Sequence, residues 1–224
     1  MVQWRRAFRD TYVMGLSMKN EDFEDKPKIL GRPEVRAARE AELGAPHIKR
    51  LTEFVDKLRA KMDAPIPYFD PWDGGTDAEV LFLFETPGRR AKDAGFVSRN
   101  NPDESASNFF KFNWEAHIPR KRTISWNLVP WYIGSELKIR SAKEADCEAG
   151  IQCLDSLLKL LPKLRAVVFF GKTAQRAVIP IANLRRYQLF EAPHTSPRCV
   201  NRAPGNRKKI ISVLREVAKY LGVN

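Results

Sequence analysis

The sequence predicts an α/β architecture: a three-layer α/β/α sandwich around a short four-stranded parallel sheet, with an N-terminal helical extension. Three observations carry that expectation. Four short apolar runs, at 79–84, 123–129, 166–170 and 187–192, are each followed by Gly, Pro or a polar turn. Between them, apolar residues recur at steps of three and four, the period of an amphipathic helix. Strands that alternate with helices imply parallel pairing, because a parallel neighbour needs a crossover connection.

The elements follow in order. Residues 33–43 start at Pro33 and stop before Gly44, the punctuation of a helix. Residues 47–62 place Ile48, Leu51, Val55, Leu58 and Met62 on one face, a second helix. A connector rich in Pro and Gly (64–75) then divides an N-terminal helical extension, residues 1–75, from an α/β domain, residues 76–224. The run 79–84 reads as a strand buried on both faces, ending at Thr86-Pro87-Gly88. Asp103, Glu104 and Ser105 can cap a helix carrying Phe109, Phe110, Phe112 and Trp114. The second strand, 123–129, is stopped by Pro130. Ser141 and Glu144 fit a capping box for a helix with Leu154, Leu157, Leu158 and Leu161 in one stripe. The third strand, 166–170, meets Gly171 and a short helix through Thr173, Ala174 and Val178. The fourth, 187–192, is weaker. Asn206 can cap a final helix with Ile210, Ile211, Leu214, Val217 and Leu221, closed by Gly222. Trp114, Trp126 and Trp131 are expected in the core, and His47 and His117 in structural roles.

At 224 residues, one domain with a decorated N-terminus is expected, against about 150 residues for a typical domain. Thirty-nine Lys and Arg against 27 Asp and Glu give a net charge of +12. That balance suits a polyanion: nucleic acid, an anionic membrane surface or a phosphorylated substrate. Half of it is local. From position 198 onward, Arg198, Arg202, Arg207, Lys208, Lys209, Arg215 and Lys219 face only Glu216, an excess of +6. A concentrated patch reads as a binding face, although Arg207-Lys208-Lys209 also fit the solvated side of a helix.

Several classes are set aside. No run reaches the ~18 apolar residues of a membrane span. Trp4, Arg5, Arg6, Arg9 and Asp10 do not make a signal peptide, so a cytoplasmic protein is expected. Cys147, Cys153 and Cys199 have no metal-ligand spacing, so neither metal nor other cofactor is expected. Phosphate-loop, dinucleotide and Gly-x-Ser-x-Gly signatures are missing.

Ligands of open parallel sheets bind beyond the C-terminal strand ends. Those ends here are Glu85-Thr86-Pro87-Gly88, Asn127 to Trp131, Gly171-Lys172, and His194-Thr195-Ser196-Pro197-Arg198. In order and in element type, residues 79–209 resemble the uracil-DNA glycosylase superfamily. Its members have a strand ending in Gly-x-(Asp/Asn/Ala)-Pro-(Tyr/Gly), a strand ending in a base-reading Asn, and a late His-Pro-Ser-x loop. The resemblance implies a monofunctional glycosylase that flips uracil, or a related damaged base, out of DNA and hydrolyses its N-glycosidic bond. The implied partner is DNA, with no membrane, and the protein is expected to be a monomer. Residues 84–88 would be the water-activating loop, with Thr86 where many members have Asp or Asn. Phe96 would stack on the flipped base, Asn127 would read its edge, and His194 would hydrogen-bond to the departing base. Pro87, Gly88, Lys172, Ser196, Pro197, Arg198, Arg202 and Arg207 would contact DNA, with Arg198 at the position of the inserted wedge.

Independent physical chemistry fits these roles. A base inside a duplex must be unstacked before it is attacked, at a few kcal/mol. An aromatic face returns roughly 1–3 kcal/mol by stacking. A carboxamide offers one donor and one acceptor, matching a uracil edge. A fixed donor aimed at the departing anion stabilises the transition state by about 3 kcal/mol.

The departures leave alternatives open. Thr86 does not ionise near neutral pH, so either Glu85 serves as the base, or Thr86 orients a water, or Asp93 supplies the carboxylate. Phe96 is also readable as core and Asn127 as turn chemistry. The missing Asp also admits a non-catalytic nucleic-acid-binding protein of the same fold. A third reading is an unrelated cytosolic enzyme acting on small phosphorylated compounds.

Overall fold

The structure is a computed structural model that describes residues 23–134, 140–184 and 186–223; the basic residues from Trp4 to Asp10 lie outside that range. Two helices come first, α1 (Pro33–Ala41) and α2 (Lys49–Met62), then the short strand β1 (Tyr68–Phe69). The central strands are β2 (Val80–Phe84), β4 (Thr123–Asn127), β5 (Ala166–Phe170) and β6 (Gln188–Ala192). Between β2 and β4 lie α3 (Arg89–Ala94), β3 (Phe96–Val97) and α4 (Glu104–Glu115). Helix α5 (Glu144–Leu158) precedes β5 and α6 (Val178–Ala182) follows it; α7 (Pro197–Arg202) and α8 (Pro204–Tyr220) close the chain.

All four central strands are parallel, in the order β4-β2-β5-β6. The middle strands β2 and β5 are the continuous apolar runs, and every residue of β5 is buried. Alternate residues supply the two faces. Leu81, Leu83, Ile124, Trp126, Val167 and Phe169 pack with α2 and α5. Val80, Phe82, Val168 and Phe170 pack with α4 and α8 on the other side. This is the expected three-layer arrangement, each large apolar side chain contributing about 1.5–3 kcal/mol by burial.

Helix α2 shares the sheet's core, whereas Val35 and Ala38 of α1 belong to a smaller cluster with Phe96. Leu51, Phe54, Val55 and Leu58 of α2 lie in the same cluster as Trp126, which stacks on Phe69 with centroids 4.0 Å apart. A second, two-stranded sheet pairs β1 with β3, Tyr68 opposite Phe96 and Phe69 opposite Val97. These strands are only two residues long, too short for a periodicity signal, and sequence reasoning did not anticipate them.

Beneath this small sheet lies a buried polar network. Asp70, fully buried, accepts from Arg39, Ser98 and Arg120, the last at 2.7 Å. Arg120 also reaches Asp73 at 2.8 Å and Asp25 at 2.7 Å. Asn100 accepts from Arg39 at 3.0 Å and donates to Asp25 at 2.8 Å. Trp72 covers Arg39, 3.6 Å from guanidinium carbon to ring centroid.

Some expected boundaries move. Helix α8 begins at Pro204 after Ala203, and Asn206 lies inside it, donating to the Cys199 carbonyl at 2.7 Å. Pro at the first helical position outcompeted Asn as the start signal. The cap of α5 is Lys143, not Ser141, because the carboxylate that reaches back to a backbone N–H is Asp146, at 2.8 Å. Trp114 is 75% exposed rather than in the core, whereas Trp126 and Trp131 are buried. His47 is structural as expected, its Nε2 lying 2.8 Å from the Pro71 carbonyl. Among the described residues no helix is long and apolar enough to cross a membrane, and no cluster of three His, Cys, Asp or Glu could hold a metal ion.

Candidate active site

A cleft of about 470 Å³ opens at the C-terminal ends of β2 and β4. The two strands end in register, Phe84 opposite Asn127, and the chain leaving β4 is tied back to β2. Leu128 N–H donates to the Phe84 carbonyl at 2.7 Å and Val129 N–H to that of Glu85 at 2.9 Å. Ser125 and Asn127, two apart on β4, point to the α4 side of the sheet and line the cleft beside Phe84. Phe84 is fixed by stacking on Phe170 at 4.8 Å and by an edge contact with Phe109 at 5.1 Å.

Asn127 is 3% exposed, yet its carboxamide hydrogen-bonds to no other described residue. Its donor and acceptor open onto the cleft and are therefore both left for water or a ligand.

His194 follows β6 and lines the same cleft. The Ser196 N–H donates to its Nδ1 at 3.0 Å. Nδ1 is thus an acceptor, so the neutral ring carries its proton on Nε2. Burial pushes His194 below the ordinary histidine range, against an opposing pull from Glu85 and Asp103. The ring meets Phe84 edge-on at 6.0 Å. Asn108 of α4 donates to the Thr195 carbonyl at 3.0 Å and anchors the loop. Behind it, Gly171 has φ +85°, and a Cβ there would stand 3.2 Å from that of His194.

The first strand-end loop also reaches the cleft through Glu85, Thr86, Pro87 and Gly88. Glu85 Oε1 accepts the Ala142 N–H at 3.0 Å. Thr86 Oγ1 donates to the Trp131 carbonyl at 3.2 Å, leaving only its lone pairs for a water. A further carboxylate, Asp103, caps α4 by accepting the Ala106 N–H at 3.0 Å and lines the cleft. Burial pushes its carboxyl above the ordinary aspartate range.

Other expected residues fall elsewhere. Phe96 does not line the cleft; it is fully buried with Ile29, Leu30, Val35 and Ala38, because pairing of β1 with β3 turns it toward the N-terminal helices. The aromatic walls are instead Phe84 and Phe109. Asp93 is exposed on α3 and pairs with Arg89 and Lys92. Trp72 and Asp73 belong to the buried polar network rather than to the cleft. Ser196 and Pro197 open α7, Ser196 Oγ accepting from the Cys199 N–H at 3.4 Å, and neither lines the cleft. Lys172, Arg198 and Arg202 are exposed outside it. Arg207 pairs with Glu115 at 2.6 Å over the Phe112 ring, so its charge is locally engaged.

Sequence reasoning missed Arg89, Arg90, Ser98, Asn101 and Arg140 as lining residues. The polar run from Ser98 to Asn101 was visible, but nothing in its spacing ties it to the strand ends. Asp103 was recognisable as a cap; where the helix start would point was not.

Known proteins place the fold and the family. The solved structure of Pedobacter heparinus SMUG2 superposes with a TM-score of 0.52 at 12% identity, covering 79% of this chain and 85% of that one. A solution structure of a candidate uracil DNA glycosylase from Methanosarcina acetivorans gives a TM-score of 0.43 at 17% identity, covering 63% and 92%. No curated protein matches the chain. The sequence profile of the Uracil DNA glycosylase superfamily, however, matches residues 71–218, most of the chain and every strand and loop of the cleft described above, and the protein belongs to that superfamily.

Proposed function

We propose that the protein is a monofunctional DNA glycosylase that flips uracil out of DNA and hydrolyses its N-glycosidic bond. The observation that carries this reading is that the unpartnered carboxamide of Asn127 and the Nε2–H of His194 share one cleft. Uracil attached through N1 presents N3–H and two carbonyl oxygens. Asn127 takes N3–H and one carbonyl. His194 donates to the other, where negative charge gathers as the C1′–N1 bond breaks. A neutral imidazole suits that step, because burial already disfavours its cation. Phe84 and Phe109 supply apolar walls for the ring. The exposed Arg198, Arg202 and Lys172 beyond the cleft give phosphate contacts, which add affinity without sequence information.

The test is release of free base from oligonucleotides containing one uracil in single-stranded, U·G and U·A contexts, followed by alkali to cleave abasic sites. The expected result is stoichiometric free uracil and one alkali-labile site. Folded protein that shifts the DNA in a gel and releases no base identifies a non-catalytic binder, and the reading then fails.

A further inference from the structure

Cleavage of the glycosidic bond also needs a group to receive a proton from the attacking water. We propose that Asp103, the capping residue of α4, is that group. The assignment rests on the glycosylase reading above.

Three observations lead to it. First, Asp103 lines the cleft that holds Asn127 and His194. Second, the first strand-end loop offers one rival. Thr86 is no base and spends its hydroxyl proton on the Trp131 carbonyl. Glu85, whose Oε1 accepts the Ala142 N–H, keeps acceptor sites of its own and is separated from Asp103 by the variants below. Asp93 is outside the cleft altogether. Third, Asp103 and His194 stand on one frame. Asn108, five residues along the same helix, hydrogen-bonds the carbonyl beside His194, so the proton acceptor and the donor to the leaving base keep a fixed relation.

The cap does not exhaust the carboxylate. An ionised aspartate offers about four acceptor sites, and backbone N–H groups of Ser105 and Ala106 occupy at most two. The helix start favours the anion, but burial opposes it more strongly and leaves the carboxyl a better proton acceptor than a solvated one. The titratable and charged groups facing the same space are Glu85, Arg89, Arg90, Arg140 and the neutral His194, with Glu104 alongside on the helix.

The step balances. Water oxygen bonds to C1′ as the C1′–N bond breaks. One water proton passes to Asp103, and the bonding pair leaves on the base, where His194 Nε2–H holds it. The products are an abasic sugar, protonated Asp103 and a base anion that later takes a proton from solvent.

Asparagine caps a helix as well as aspartate does, so Asp103→Asn removes the proton acceptor and keeps the cap. Single-turnover base release should fall by about 10²–10⁴-fold, the usual contribution of a positioned base. The rise of rate with pH on the acid side should flatten, while a gel shift should detect little change in DNA affinity. Asp103→Ser, a second capping variant, should behave alike, and thermal midpoints certify folding of both. If Asp103→Asn keeps both rate and pH profile, or if Glu85→Gln rather than Asp103→Asn flattens the acid limb, the assignment is overturned and the glycosylase reading stands. If wild-type protein releases no base from any substrate, both fall together.

Discussion

The backbone N–H of Ser196 points at Nδ1 of His194, 3.0 Å away, and thereby decides what the imidazole does. With Nδ1 accepting, the remaining ring proton is on Nε2, and the side chain is a donor without being a cation. Removing it should affect chemistry far more than binding. His194→Ala is expected to lower single-turnover base release by about 10²–10³-fold, the loss typical of one such donor, while a gel shift detects little change in DNA affinity. Equal losses in both would make His194 a binding residue.

The burial of that ring makes stability depend on pH. Burial disfavours the imidazolium, and a proton on Nδ1 would also set a second N–H against that of Ser196, so the folded value is depressed below the unfolded one of about 6.5. Above that pH both states are neutral and the full stability is present. As pH falls below it, the unfolded chain takes up the proton first, and stability declines until the folded value is passed. Thermal midpoints from pH 8 to pH 5 should therefore fall, and His194→Gln should flatten that part of the curve. An unchanged slope in the variant would remove His194 as its source.

Gly171 governs the same side chain from behind. Its φ of +85° disfavours any residue with a Cβ, and an added methyl would stand 3.2 Å from His194 Cβ. Gly171→Ala is expected to cost about 1–3 kcal/mol in denaturant unfolding. It should also slow base release, because the methyl meets the imidazole stem. A variant that loses stability and keeps its full rate would show that the loop relaxes around the methyl.

Arg198 tests what the net positive charge is for. It is exposed on α7, two residues beyond the capping Ser196 and outside the cleft. A phosphate contact there predicts that Arg198→Ala weakens binding to every DNA sequence alike. The slope of log affinity against log salt should become shallower by about one unit. Arg207→Ala should change it less, because Arg207 already pairs with Glu115.

How much of this was legible beforehand follows from the range of the interactions involved. Val80–Phe84 and Ala166–Phe170 announced themselves because a strand buried on both faces is apolar throughout. Asn127 and His194 could be expected at the cleft they line because strand ends are local features and parallel sheets place ligands there. Phe96 was misplaced because its surroundings are set by β1, 28 residues earlier in register, and two-residue strands leave no pattern. Asp103 was seen only as a cap, since the direction in which α4 starts depends on packing against β2 and α8. The network around Asp70 was invisible for a related reason: its members, Asp25, Arg39, Asp70, Ser98 and Arg120, are scattered along the chain and look like surface charges.

That network yields the last expectation. Arg39 and Arg120 hold the Asp70 carboxyl well below its usual range, and Asp70 in turn accepts from Ser98, whose Oγ accepts the Asn100 N–H at 2.9 Å. Asn100 is bound from the other side by Asp25 and the Lys26 carbonyl. The segment that turns Ser98 and Asn101 into the cleft is therefore clamped from behind by the N-terminal part of the chain. Asp70→Asn would leave the buried Arg39 guanidinium without its carboxylate and Arg120 with Asp25 and Asp73 alone, and losing one partner of a buried pair costs about 3–5 kcal/mol. Because the folded value of Asp70 is depressed, its contribution is present above the unfolded value near 3.9 and disappears as pH falls toward the folded one. In Asp70→Asn, hydrogen exchange should quicken first at residues 98–101 and in α1, ahead of β2 and β5. Base release should slow along with it. If exchange quickens uniformly across the sheet instead, the network supports the whole fold and holds no special part of the cleft.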